Sequence, residues 1–224
     1  YQSVDGFPAL VSDPWLNGRL TALHACSDIW SMGGRVTSAQ AVITLPNLPG
    51  TIQKGLLTES LSGIQSALEP QGAKLIGGHT LEARSVSPQP CSLGIQIDLT
   101  VNGCLSSGCD PWRKGGMQPG DLLLISRGIG TGVLFAAANA GKCPAKYLDE
   151  ALEKLSISQH MLLEPLFKMQ QQNNELPVVH ACTDITGFGL LGHLQEMLLG
   201  SNSHRDRNNL PQLRISLEAN SIPH

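Results

Sequence analysis

Thirteen residues constrain this chain more than any other stretch: Ala181-Cys182-Thr183-Asp184-Ile185-Thr186-Gly187-Phe188-Gly189-Leu190-Leu191-Gly192-His193. They hold one carboxylate, two hydroxyls and three glycines, and Leu190, Leu191, Leu194, Met197 and Leu198 fall at helical spacing. The order predicts a strand end, a glycine loop and a helix start, fed by a strand over 177–181. Glycine lets backbone amides approach a ligand closely, and a helix N-terminus favours an anion. Asp184 offers hard oxygens for a magnesium ion beside that anion. A glycine-rich turn capped by Asp184 accounts for the same residues without any ligand. The rest of the chain has to decide between the two.

The start of the chain carries two further acidic positions at the ends of apolar elements. Val4 ends an expected strand that delivers Asp5. Asp13 and Pro14 are a good helix cap and first helical residue, and that helix runs to about Met32, stopping at Gly33-Gly34. Leu16, Leu20, Leu23 and Trp30 share one face. Asp28 lies roughly 120° from that stripe, at about 100° per residue, and four residues after His24. Beside Ser27 it reads either as a ligand or as a solvated helix-end aspartate. A strand is expected over Val36–Leu45 and a long amphipathic helix from Thr51 to Leu68, closed by Pro70 and Gly72.

A short buried strand over 73–76 then enters Gly77-Gly78-His79-Thr80. A double glycine there permits close ligand approach, with His79 and Thr80 as hydrogen-bond donors. A plain strand-ending turn is the other reading. Residues 82–90 are polar and broken by proline, as a loop is. Leu93, Ile95, Ile97, Leu99 and Val101 alternate, which predicts a half-buried strand of an antiparallel sheet.

Glycines, two prolines and Arg113-Lys114 mark a boundary between 106 and 120, giving expected domains of 1–108 and 109–224. Beyond it come a strand over 122–125, a glycine turn over 127–132 and an alanine-rich helix to about Ala140. No G-K-[ST] follows, so this is not a P-loop, and the full dinucleotide fingerprint is missing. Helices are expected over 147–155 and 158–172, the second divided at Pro165. Ser201–Asn209 reads as a mobile surface loop and Leu213–Leu217 as a final strand.

Composition excludes more than it assigns. The 224 residues are 41% hydrophobic and 15% charged, with a net charge of −3. That balance makes no case for nucleic acid or an anionic membrane, and no apolar run is long enough to cross a bilayer. The chain opens at Tyr1 without Met, as a trimmed domain would. Its six cysteines form no C-x-x-C pair, which disfavours structural zinc and fits reduced thiols in a cytoplasmic setting. The seven histidines show no H-x-x-x-H spacing.

Together the motifs carry a resemblance. Ser27-Asp28-Ile29-Trp30-Ser31-Met32-Gly33-Gly34, Gly77-Gly78-His79-Thr80 and 183–193 resemble selenophosphate synthetase (selenide, water dikinase), of the aminoimidazole ribonucleotide synthetase-like ATP-binding superfamily. Order and intervals match along nearly the whole chain, including Ser3-Val4-Asp5 and Asp13-Pro14. The relatives differ at the second motif: aminoimidazole ribonucleotide synthetase typically has Glu and thiamine-monophosphate kinase Asp, where this chain has His79.

The resemblance implies an α/β (α+β) two-domain fold, with a dimer-forming mixed or antiparallel sheet in the N-terminal domain and an α+β sandwich after it. It implies ATP, selenide and water as substrates, selenophosphate, AMP and phosphate as products, Mg2+ as cofactor and a homodimer. By position, Asp28 and Asp184 would be magnesium ligands, and Asp5 and Asp28 would contact ATP. Gly78, His79 and Thr80 would reach ATP across the homodimer interface.

The chain also departs from the family. The N-terminal glycine-rich segment, with its reactive Cys or selenocysteine, Lys and further magnesium-binding Asp, has no counterpart here. No catalytic residue is therefore assigned, and the chain alone is expected to turn over nothing. Arg127 stands where Lys is usual, and Gly6 where a bulkier residue is usual. Two other readings remain: another ATP-using enzyme of the same superfamily, and a non-catalytic paralogue that uses the dimer surface for regulation.

Overall fold

The computed structural model describes residues 1–83, 94–173 and 177–223. Its contacts divide into two units, Tyr1–Trp30 with Gly34–Ser107, and Ser31–Gly33 with Gly108–His224.

Among the described residues the first unit has a four-stranded sheet and two α-helices. In chain order these are β1 (Gln2–Pro8), α1 (Pro14–Ser31), β2 (Arg35–Leu45), α2 (Gly50–Leu68), β3 (Lys74–Glu82) and β4 (Gln96–Cys104). The strand order is β1-β4-β2-β3. β4 runs antiparallel to both β1 and β2, whereas β3 is parallel to β2. The alternation expected along β4 is present: Ile97, Leu99 and Val101 are buried, while Gln96 and Cys104 are exposed. Residues 91–93 of that expected strand lie outside the described residues. β2 buries Val36, then Ala39, Ala41, Ile43 and Leu45. A register shift between Val36 and Ser38 moves the buried set from even to odd positions.

The buried strand residues share the core with Ala22, Ala25, Cys26 and Ile29 of α1 and Ile64, Ala67 and Leu68 of α2. The helices cross closely because Gly18 and Gly63 have no side chain: a Cβ on either would run into the backbone of Ser60 or Trp15. The cap expected at Asp13 is made, its Oδ1 accepting the Leu16 amide at 2.9 Å.

One strand is longer than expected. The sequence predicts a strand over 73–76 with the double glycine beyond it, but β3 runs through the double glycine to Glu82. Gly78 pairs with Ala41 and has φ of 156°, and a Cβ there would strike the Ala41 carbonyl oxygen. Gly78 thus lets β3 lie against β2, where the double glycine was expected to end the strand.

The second unit has α3 (Thr131–Asn139), α4 (Ala145–Leu155), α5 (Leu163–Gln172) and α6 (Gly189–Arg207). Its apolar centre is Met117, Leu190, Leu194 and Met197, with Ile125, Ile129, Ala181, Leu213 and Ile215 against it. Among the described residues the segments 122–125, 177–181 and 213–217, all expected as strands, join no sheet ladder. Leu122 and Leu124 are 88% and 89% exposed. An apolar run becomes a strand only when a neighbour takes up its amides and carbonyls. Pro165 lies in the first turn of α5, where a missing N–H costs no helical bond, so the break precedes it.

The expected loop at Ser201–Asn209 is instead helical as far as Arg207. Ser201 is buried; its Oγ donates to the Met197 carbonyl at 2.7 Å and accepts the Gly116 and Met117 amides at 3.0 and 3.1 Å. Asn202 brackets Leu213, donating to its carbonyl at 3.2 Å and accepting its amide at 2.7 Å. These polar side chains serve neighbouring backbone, which composition alone does not reveal. His204, Arg205 and Arg207 then complement the negative helix end.

Candidate functional site

The first unit gathers its acidic residues by matching two periods. Ser3, Asp5 and Phe7 alternate along β1 on the helix-covered face, opposite Val101, Leu99 and Ile97 of β4. His24 and Asp28 are one turn apart on α1. Ser3 Oγ donates to Asp28 Oδ2. His24 Nε2 lies 2.8 Å from Asp5 Oδ2, and Asp5 Oδ1 accepts the Gly6 amide at 2.8 Å. The Phe7 ring meets the His24 ring edge-on, with centroids 5.1 Å apart. Asp5 and Asp28 thus lie on one surface, both half-buried, each held by a neighbour from the opposite element. His24 as the partner of Asp5 was not legible, since nothing in the sequence pairs β1 with that turn of α1. Gly6 has a local explanation: a Cβ there would strike Asp98, its cross-strand partner.

Gly78, His79 and Thr80 lie on β3, at the opposite edge of the sheet from β1. Three strand spacings separate the edges, about 14 Å. His79 stands in register with Val42 on the face the helices leave open, whereas Gly78 and Thr80 stand in register with buried Ala41 and Ile43. Within one chain the structure does not bring His79 to the surface that carries Asp5 and Asp28.

Asp184 belongs to the second unit. The segment before α6 is pinned at several points. The Cys182 amide donates to the Arg113 carbonyl at 2.9 Å, Thr183 Oγ1 donates to the Asp184 carbonyl at 3.2 Å, and the Gly189 amide closes a turn on the Thr186 carbonyl at 3.0 Å. Gly189 has φ of 65°, left-handed and suited to glycine. Because α6 starts at Gly189, Asp184 is five residues upstream and does not cap it. Burial, helped by the Asp184 carboxylate, pushes the Cys182 thiol up to about 11. Arg127 is half-buried, which lowers its guanidinium below the usual value.

His193, one turn into α6, is 4% exposed. Its Nε2 accepts the Thr186 amide at 3.1 Å and lies 3.3 Å from Thr186 Oγ1. Its Nδ1 is 3.4 Å from Glu196 Oε2, within ion-pair range yet without good hydrogen-bond geometry. Lys114 Nζ reaches the same Glu196 oxygen at 2.9 Å and holds that carboxyl below its usual range. The sequence did contain a signal for this contact, a histidine seven residues after a threonine across a glycine turn. A second pair, His180 Nδ1 and Asp121 Oδ1 at 2.8 Å, was missed altogether.

Among the described residues no group of three or more His, Cys, Asp or Glu side chains gathers as a metal site, and no helix is long and apolar enough to cross a membrane.

Two family models match this chain: the N-terminal domain of AIR synthase related protein over residues 1–105, and its C-terminal domain over 118–211. The chain is 32% identical over 201 residues to a Geobacter metallireducens protein named selenide, water dikinase, covering 89% of this chain and 52% of that protein. It is 32% identical over 221 residues to a Nitratidesulfovibrio vulgaris protein of the same name, covering 97% and 57%. The chain therefore spans about half the length of the curated relatives it matches.

Among solved structures it resembles thiamine-monophosphate kinase from Stenotrophomonas maltophilia, with TM-score 0.69 and 20% identity over 90% of this chain and 60% of that one. It also resembles hydrogenase maturation protein HypE in complex with ATP, with TM-score 0.65 and 17% identity over 96% and 66%. At these identities the likeness establishes a shared fold.

Proposed function

Since this chain belongs to the AIR synthase related protein family, we propose that it contributes the nucleotide- and metal-binding part of an ATP-dependent selenophosphate synthetase. The reaction is ATP, selenide and water giving selenophosphate, AMP and phosphate. The name shared by the curated relatives supports the substrate class. The observation that carries the site is the meeting of Asp5 and Asp28 on one β1–α1 surface, each held by a cross-element contact.

Magnesium fits the residues present. It binds through one or two carboxylates and completes its shell with water and substrate phosphates, so a three-ligand protein cluster is not required. Asp28 in the first unit and Asp184 in the second are each candidate ligands, and when bound the ion would neutralise phosphate charge. The chain's own part is positional. Ser3 fixes the Asp28 carboxylate, His24 fixes Asp5, and the Thr186–Gly189 turn sets the approach to α6. Fixed groups shorten the search for a productive arrangement of phosphates.

A homodimer is supported by the open sheet face and the β3 edge. Val4, Val42, Ile76 and Leu81 are exposed there, and an edge strand offers unpaired backbone to a second copy. The five described cysteines are free thiols, which supports a cytoplasmic setting.

Asp28→Ala and Asp184→Ala in the full-length protein are each expected to lower selenide-dependent AMP release by at least 100-fold, a transition-state loss of about 2.7 kcal/mol. Unchanged turnover in both variants would reject the site. ADP as the nucleotide product would point to a single-phosphoryl kinase of the same family instead.

A further inference from the structure

We propose that His193 is a positioning residue that latches the 183–188 loop, and so sets the Asp184 carboxylate for a metal-bound phosphate. The proposal rests on the reading of Asp184 as a magnesium ligand.

Three observations carry it. First, the imidazole is almost fully buried one turn into α6, yet it takes a backbone amide from outside the helix, that of Thr186. An N–H can donate only to a nitrogen with a free lone pair, so Nε2 is unprotonated and the ring proton of the neutral histidine sits on Nδ1. Second, Nδ1 faces Glu196 Oε2 at 3.4 Å, and that carboxylate is anchored by Lys114 at 2.9 Å. A negative group beside Nδ1 favours the tautomer that leaves Nε2 as acceptor. Third, the contact ties the helix to a loop whose other holds, at Cys182, Thr183 and Gly189, leave the Thr186 amide to His193. Its own closure is the Gly189–Thr186 turn, and Gly187, Phe188 and Ile185 are exposed. The Phe188 ring lies 5.9 Å from the imidazole, and Gly192 leaves the room its side chain needs. Thr186 is two residues from Asp184, so holding its amide limits where the carboxylate can go. Outer contacts of this kind orient a metal ligand without touching the metal.

The test uses hydrogen exchange and Mn2+ binding on the full-length protein, without turnover. In the metal-free protein His193→Leu is expected to speed exchange of the Thr186 amide about tenfold or more. It should also weaken Mn2+ binding, read by electron paramagnetic resonance, about three- to tenfold. His193→Gln puts an amide oxygen where Nε2 was and is expected to restore both within about threefold. His193→Asn, whose shorter side chain does not reach Thr186, should behave like the leucine variant and replaces it if that protein does not fold.

Thr186 exchange unchanged in the leucine and asparagine variants, or glutamine no better than asparagine, would overturn the latch. Asp184→Ala separates the two ideas. It should abolish Mn2+ binding while leaving Thr186 exchange as it was. Retained Mn2+ binding would remove the metal reading, and the exchange data would still judge the latch.

Discussion

The two units treat extended backbone differently. In the first, every stretch that alternates in sequence finds a ladder partner, and the alternation becomes buried and exposed faces: Ile97, Leu99 and Val101 go inward along β4. In the second, Leu122-Leu123-Leu124-Ile125 has strand composition yet joins no ladder among the described residues, and its leucines at 122 and 124 stay in solvent. That unit is held by α6 instead, through Leu190, Leu194 and Met197 and through the buried hydroxyl of Ser201. Apolar pattern therefore predicts burial only where topology supplies the second strand.

The sharpest way to break this contrast is a pair of truncations. Leu99→Ala should cost about 2–5 kcal/mol, because a fully buried leucine leaves a cavity. Leu124→Ala should change stability by no more than about 0.5 kcal/mol. Denaturant midpoints measure both, and a comparable loss at Leu124 would mean that its segment is paired after all.

A smaller effect probes the polar centre of the second unit. Ser201→Ala removes the acceptor of the Gly116 and Met117 amides, and two buried donors left unmatched should cost about 1–3 kcal/mol. Urea unfolding of the variant checks this, and a neutral result would shift the weight back to the apolar cluster.

The smallest effect concerns Lys114 and Glu196. Lys114 lowers the Glu196 pKa from 4.5, so the pair's contribution is complete above that value and is lost as pH falls through the lowered folded value. Lys114→Ala should flatten the acid limb of stability against pH below about 4.5, and added salt should mimic it, since the pair is exposed. Parallel acid limbs in the variant and the parent would dismiss the pair.

Much of the first unit was legible in the sequence. Asp13-Pro14 marks the start of α1, Gly33-Gly34 marks its end, and the period of two along β4 gives both strand and face. The double glycine at 77–78 misled because glycine breaks strands more often than it lets two of them close together. Only the Ala41 carbonyl, thirty-seven residues away, tells the cases apart. Ser201–Asn209 misled for the opposite reason: polar side chains were read as solvated when they bind neighbouring backbone.

For the site, Asp5 and Asp28 were singled out as lying at element ends; Asp28 does lie in the last turn of α1, but β1 runs on through Asp5 to Pro8, since β4 pairs with it along its whole length. Their partners Ser3 and His24 follow from a strand–helix register that no local pattern encodes. His193 was in view as the last residue of the glycine motif, but its bond to Thr186 runs back across the turn.

The placement of β1 and β3 at opposite edges, with Asp5 and His79 on opposite faces, has a genetic consequence. If one nucleotide needs both in the proposed homodimer, its groups come from two polypeptides. Co-expressed Asp28→Ala and His79→Ala copies would then complement each other. A mixed pair assembles one centre with both lesions and one with neither, so two separately dead alleles yield about a quarter of the centres intact when assembly is random.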